Sequence, residues 1–457
     1  MVSDLLPSIS ARAPRRPGDV REVAALAHPI VLTQLSQTVM GLVDSAFVGR
    51  LGATELAALG FGGIWLWTAF CVFYGCASGV QTFVSQAHGA GRGRDCGRWA
   101  WQAAWAVVPT AALALSLLTY LGAAPLLRLL GPSPELQRHV LEYAWMRPPG
   151  LAAVALWMVL ASFFRGLGDT RTPLRAALVA NAVNAVLAWA LVFGHWGLPA
   201  LGIAGAGLAT SIAEWVGALW LAAAFLSRAL DREYDTRPVA PRPREILRFL
   251  RTGAPIGGQW LLDMSAFALF NTLIARMGDR SMAASQAMLS LLSLSFMQAI
   301  GVGLAAATLV GRYKGAEDLV AAERAYRSAL KLGLLLAAGV AALFVALPGP
   351  LLRIYTDDPR LIELGRPLLA LGAAFQLFDT IGIIAGGTLR GAGDTRWPFL
   401  VQTSLAWTLR LPLAWTLAVG LGGGVLGAWF GECGYVLALG SALALRFRSG
   451  AWRTVEI

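Results

Sequence analysis

A chain that repeatedly runs close to 20 residues without a charge, with short basic clusters between the runs, can satisfy its backbone in lipid but cannot cover a soluble core. Only 14% of residues are charged, against about 25% in an ordinary soluble domain, and 57% are apolar. An integral, all-α membrane protein follows. The formal charge of +11 does not mark a nucleic-acid binder, because the basic residues form no continuous patch. They fall between apolar segments, where insertion orientation requires them. Twelve apolar stretches of helix-spanning length are read: 23–48, 55–86, 99–121, 141–164, 174–195, 202–227, 250–275, 282–311, 328–348, 366–389, 397–420 and 424–446. The second and eighth are long enough to tilt or project from the bilayer.

Lysine and arginine concentrate in the tails and one set of alternate loops, which places both termini in the cytoplasm. Residues 1–22, with three prolines and four arginines but no apolar run, read as a basic cytoplasmic tail rather than a signal peptide. The connection at 229–249, rich in arginine and carrying Pro238, Pro241 and Pro243, reads as a hinge-like cytoplasmic linker. It separates a six-helix lobe at 23–228 from a second at 250–446, with 447–457 as a cytoplasmic tail. Cys71, Cys76, Cys96 and Cys433 form no CxxC pair, and His28, His88, His139 and His195 are scattered. Neither a disulfide framework, a resident metal nor another cofactor is expected.

RGLGDTRTP at 165–173 returns as RGAGDTRWP at 390–398. Leu51-Gly52 aligns with Met277-Gly278, Gly75 with Gly301, Val84 with Val310 and Gly89 with Gly315 at a shift of 226 residues. The chain is a duplication. Six spans per copy is an even number, so the two repeats are parallel, related by an axis along the membrane normal, with a cleft expected between them. In the RGxGDTR turns, Asp169 and Asp394 are expected to cap the following helices, with the arginines facing anionic headgroups.

A carboxylate at mid-span costs a few kcal/mol, so each is a candidate for function. Asp44, Glu214, Asp263, Asp379 and Glu432 qualify. Asp44 shares a helical face with Met40, Gln37 and Thr33. Asp263 has Gln259 four residues before it and Phe267 and Phe270 four and seven after, offering a carboxylate, an amide and two aromatic faces to an organic cation. Asp379 is flanked by Phe375, Gln376 and Phe378, with Gly382 and Gly386 on its side allowing close helix approach. Glu214 and Glu432 read more blandly, as buried acids paired with a donor such as Arg410.

The opening PIVLTQLSQTVMGLVDSAFVGRLGATELAALG, the TFVSQAHGAGR run and the doubled RGxGDTR turn resemble the multidrug and toxic compound extrusion (MATE) family, over nearly the whole chain. The pattern of acids in the first, seventh and tenth helices resembles its NorM-like branch. The resemblance implies twelve transmembrane helices in two lobes forming a V-shaped cleft, and export of organic cations and drugs in exchange for protons or sodium ions by alternating access. It also implies a first-lobe ion site in which Asn184 and Thr210 join Asp44. Ala188 stands where many members carry Asp or Asn, which removes an oxygen ligand and favours protons over sodium as the coupling ion. A sodium ion, if used, would sit at Asp44 or at Asp263 and Asp379.

These readings place Asp44, Asn184, Thr210, Asp263 and Asp379 in ion coupling, and Gln37, Gln259, Asp263, Phe267, Phe270, Phe375 and Asp379 in substrate binding. A protonated carboxylate loses its attraction for a cation, so proton and drug exclude one another. The expected partners are small organic cations and the lipid bilayer, with the protein a monomer in the cell inner (plasma) membrane. A flippase for a lipid-linked precursor is the alternative within the superfamily, but it would want a cationic cleft. A membrane-embedded enzyme is the alternative of a different class, yet no HExxH, GxSxG or clustered Cys/His appears.

Overall fold

The computed structural model describes residues 16–131, 133–355 and 358–457; of the tail expected at 1–22, residues 1–15 lie outside the described residues. All regular structure among the described residues is helical. The chain runs α1 (Val20–Val48), α2 (Ala53–Gly89), α3 (Gly93–Leu117), α4 (Ala123–Leu130), α5 (Pro134–Trp145), α6 (Pro148–Leu167), α7 (Arg171–Phe193), α8 (Gly202–Phe225) and α9 (Arg228–Tyr234). It continues with α10 (Pro243–Ala275), α11 (Asp279–Gly315), α12 (Leu319–Ala346), α13 (Pro348–Arg353), α14 (Pro359–Gly391), α15 (Arg396–Leu405), α16 (Leu411–Trp415) and α17 (Gly424–Arg448).

Among the described residues, 10 helices are long and apolar enough to cross a membrane. The other two expected spans are present in altered form. The 250–275 run is the latter part of α10, where Gln259, Asp263 and Asn271 reduce the apolar character. The 397–420 run is broken into α15, a π turn at Ala406–Arg410, α16 and a second π turn at Thr416–Gly420. The expected span at 141–164 divides between α5 and α6, where Pro148 and Pro149 remove two backbone donors and start a new helix. Helices α2 and α11 each reach 37 residues, about 55 Å at 1.5 Å per residue, well beyond a hydrocarbon layer of about 30 Å.

Two compact units form, and both boundaries fall inside helices rather than in the linker. Leu32–Gly257 make one; residues 16–31 with Gly258–Ile457 make the other. In the first, α6 packs against α2, α3 and α8, and α7 lies along α8. In the second, α14 is the corresponding centre, packed on α11, α12 and α17.

The reason the lobe boundaries differ from 23–228 and 250–446 is a pair of glycines related by the duplication. In the first unit a Cβ on Gly75 of α2 would lie 2.7 Å from Gly257 Cα of α10. In the second, a Cβ on Gly301 of α11 would lie 2.4 Å from Val31 Cγ2 of α1. Only a residue without a side chain permits each approach. Val31 and Gly257 carry the same 226-residue relation as Gly75 and Gly301, so the leading part of each repeat's first helix makes the same contact.

The linker is not a free hinge. Tyr234 and Thr236 are buried, and Trp101 and Trp105 donate their indole N–H groups to the carbonyls of Thr236 and Val239 at 2.9 and 2.8 Å. Gln102 closes a reciprocal pair, donating to Ala240 O at 3.0 Å and accepting from Arg242 N at 2.7 Å. The stretch expected as linker at 229–249 is therefore strapped along α3, and its end already belongs to α10. The C-terminal stretch 447–457 is likewise built in: Trp452 is fully buried against Phe447, and Lys314 Nζ donates to the carbonyls of Ala392, Trp452 and Val455.

Candidate functional site

In the first unit the site centres on Asp44, which is 6% exposed. Thr210 Oγ1 of α8 donates to Asp44 Oδ2 at 2.8 Å, and Asn184 of α7 donates its amide to Thr210 Oγ1 at 3.3 Å. The structure thus brings Asp44, Asn184 and Thr210 together. Two acceptors in this group, Asp44 Oδ1 and Asn184 Oδ1, are buried and have no hydrogen-bond partner among the described residues. Buried acceptors without donors are costly, and a protonated carboxyl or a small cation would satisfy this group. Ala188 is fully buried in the same helix as Asn184 and contributes no oxygen.

Beside it lies the expected mid-span Glu214, with an arginine that reading the sequence missed. Arg147, 8% exposed at the start of α6, grips Glu214 of α8 with two hydrogen bonds of 2.9 and 2.8 Å. Glu214 therefore pairs with Arg147 and not with Arg410. Its arginine lies inside the stretch expected as the 141–164 span, between Met146 and Pro148; an uncompensated mid-span Glu214 was the signal that a buried cation had to exist.

In the second unit, a cavity of about 290 Å³ is lined by Asp263, Phe267, Phe375, Asp379, Arg410 and Tyr435, among others. Arg410 closes the π turn at Ala406–Arg410, a distortion that re-aims a side chain away from the regular helical register. Its Nη1 lies 3.0 Å from Asp263 Oδ1; its Nε and Nη2 hold Glu432 at 2.8 and 2.7 Å. Tyr435 donates its hydroxyl to Asp263 Oδ1 at 3.2 Å. The guanidinium also stands 4.2 Å from the Tyr435 ring centroid and 5.7 Å from that of Phe267. Asp379 lines the same cavity, and among the described residues no group hydrogen-bonds or ion-pairs with it.

Other candidates fall elsewhere. Phe270 is fully buried, edge-on to Trp429 at 5.3 Å, so it is a core residue and not a wall of the cavity. Gln259 is buried and donates to Gln402, which does line the cavity. Gln37 is exposed on α1, whereas Gln34 and Ser36 are buried. Gly382 approaches Gly440 of α17, as the glycines beside Asp379 suggested. The two RGxGDTR turns diverge. Asp169 caps α7, accepting from Arg171 N and Thr172 N at 3.0 Å each. Asp394 instead receives Arg446 Nε at 2.9 Å, so the expected second cap is an ion pair. Arg165 is also not directed at headgroups: it is 5% exposed and donates to Ser162 Oγ at 2.9 Å.

A family model described as MatE matches residues 29–190 and 255–416. The probable multidrug resistance protein NorM of Rhizobium meliloti is 32% identical, with 94% of this chain and 92% of that protein covered. The protein of the same description from Thermotoga maritima is 29% identical, covering 94% and 93%. Among solved structures, a MOP superfamily transporter from Pyrococcus furiosus matches with a TM-score of 0.87 at 20% identity, over 96% of this chain and 98% of that one. A eukaryotic MATE transporter matches with a TM-score of 0.82 at 20% identity, over 95% and 96%.

Proposed function

This chain belongs to the MatE family of multi-pass membrane transporters, and from that premise we propose that it is an antiporter. It exports organic cations in exchange for protons by alternating access, as a monomer in the inner membrane with both termini cytoplasmic. It is a multidrug efflux transporter of the NorM kind and not an enzyme. The observation that carries the antiport reading is the pair of unpartnered buried acceptors at Asp44 and Asn184. A carboxylate held by Thr210 on one oxygen and bare on the other is set to take up and release a small positive charge. In the second unit Asp379, Phe267 and Phe375 supply the charge and aromatic surface that retain an organic cation. Uptake of the ion from outside and loss of the drug then follow from competition for negative charge, with a conformational equilibrium supplying the gate.

The same two bare oxygens favour a second reading, in which sodium takes the proton's place. The absence of an oxygen at Ala188 weighs against it. The test is Asp44→Asn in energised vesicles. Thr210 still has an acceptor, but the site carries no charge, and proton-linked drug efflux is expected to fall to background. Wild-type exchange by that variant would remove Asp44 from the scheme.

A further inference from the structure

The cavity of the second unit contains three carboxylates, Asp263, Asp379 and Glu432, and one guanidinium, Arg410. The guanidinium is used fully: two of its nitrogens hold Glu432, the third reaches Asp263, and its face lies on Tyr435. A carboxylate flanked by aromatic faces is the environment an organic cation requires. Arg410 already occupies it. Asp379, on the wall of the same cavity, has no such occupant among the described residues.

We propose that Arg410 is a tethered occupant of the cavity's cation subsite and sets its charge selectivity, leaving Asp379 as the carboxylate offered to singly charged aromatic cations. This rests on the organic-cation reading given above. A substrate with a second positive centre meets the guanidinium where it needs Asp263. Like charges in a low-dielectric cavity repel strongly, so rejection comes from a built-in repulsive element and not from missing contacts. A π turn at Ala406–Arg410 fits the role, since it holds the arginine at this position instead of leaving it in the helix register.

The experiment is equilibrium binding of ethidium and propidium to the purified full chain. The two dyes share an aromatic cation, and propidium adds a second quaternary ammonium. The wild type is expected to favour ethidium by about tenfold or more. In the double variant Arg410→Gln/Glu432→Gln the net charge of the cavity is unchanged but Asp263 is freed, and the preference is expected to vanish or invert. Arg410→Lys keeps the positive charge and should keep most of the preference, which a purely structural role for the arginine would not predict. A wild-type ratio near one overturns the proposal even if the double variant does not fold. So does a ratio that stays at the wild-type value in a folded double variant. Failure of the wild type to bind ethidium at all would instead overturn the organic-cation reading itself.

Discussion

At the residue scale, two of the buried arginines, Arg147 and Arg410, make unlike demands. Arg147 and Glu214 form a closed pair in which each ion satisfies the other, so removing one member strands a charge. Arg147→Ala is expected to destabilise the protein by about 3–5 kcal/mol, read as lowered thermal stability in detergent. Arg147→Met combined with Glu214→Met should recover most of that loss. If the double variant is no more stable than the single one, the pair is not the source of the effect. The aromatic residues separate in the same way. Phe270→Ala, in a fully buried site against Trp429, is expected to cost about 3–5 kcal/mol of stability, whereas Phe267→Ala should weaken organic-cation binding by roughly 0.5–2 kcal/mol with little loss of stability. Comparing melting and dye binding in the two variants checks both. The acids were legible because a carboxylate in an apolar run has few ways to be tolerated. Which of two phenylalanines on one helical stripe faces a cavity was not, since periodicity fixes the face and not the neighbour across it. Arg147 was hidden for a related reason: it lies near the start of the 141–164 stretch beside two prolines, and its burial depends on α8.

At the scale of helices, the duplication shows most clearly where backbones touch. Gly75 against Gly257 and Gly301 against Val31 are equivalent contacts, and each forbids a side chain. Gly75→Leu and Gly301→Leu are both expected to lower thermal stability by more than the roughly 1–3 kcal/mol usual for overpacking, because Gly75 meets the backbone of Gly257 and Gly301 meets the stiff, β-branched Val31. A Gly75→Leu protein melting like the wild type would mean that α2 and α10 do not meet as described. The matching of these glycines was visible in the repeat, but their partners were not, because Val31 and Gly257 lie in helices whose units are defined by packing. Nor could the sequence reveal that the linker is bound to α3. The bonds that hold it run from indole and amide side chains to carbonyls more than a hundred residues away, and backbone acceptors leave no mark in residue type. The broken run at 397–420 shows the same limit. Its apolar length was plain, whereas the π turns that aim Arg410 were not.

For the whole molecule, the fold class follows from physics that acts on composition, namely apolar length and basic loops, whereas the repeat is read from residues that recur at a fixed shift. The proposed coupling chemistry rests on placement. Among the described residues, one unit holds a carboxylate with an unpartnered oxygen, and the other holds a cavity with aromatic walls and an Asp379 that nothing pairs with. Together they support an exchanger in which a small cation and an organic cation exclude one another. Uphill drug efflux from reconstituted vesicles, first under an imposed proton gradient and then under a sodium gradient alone, tests this most directly. The account predicts accumulation against the drug gradient with protons, accompanied by proton movement in the opposite direction, and none with sodium alone. Drug that only equilibrates under both gradients would contradict it.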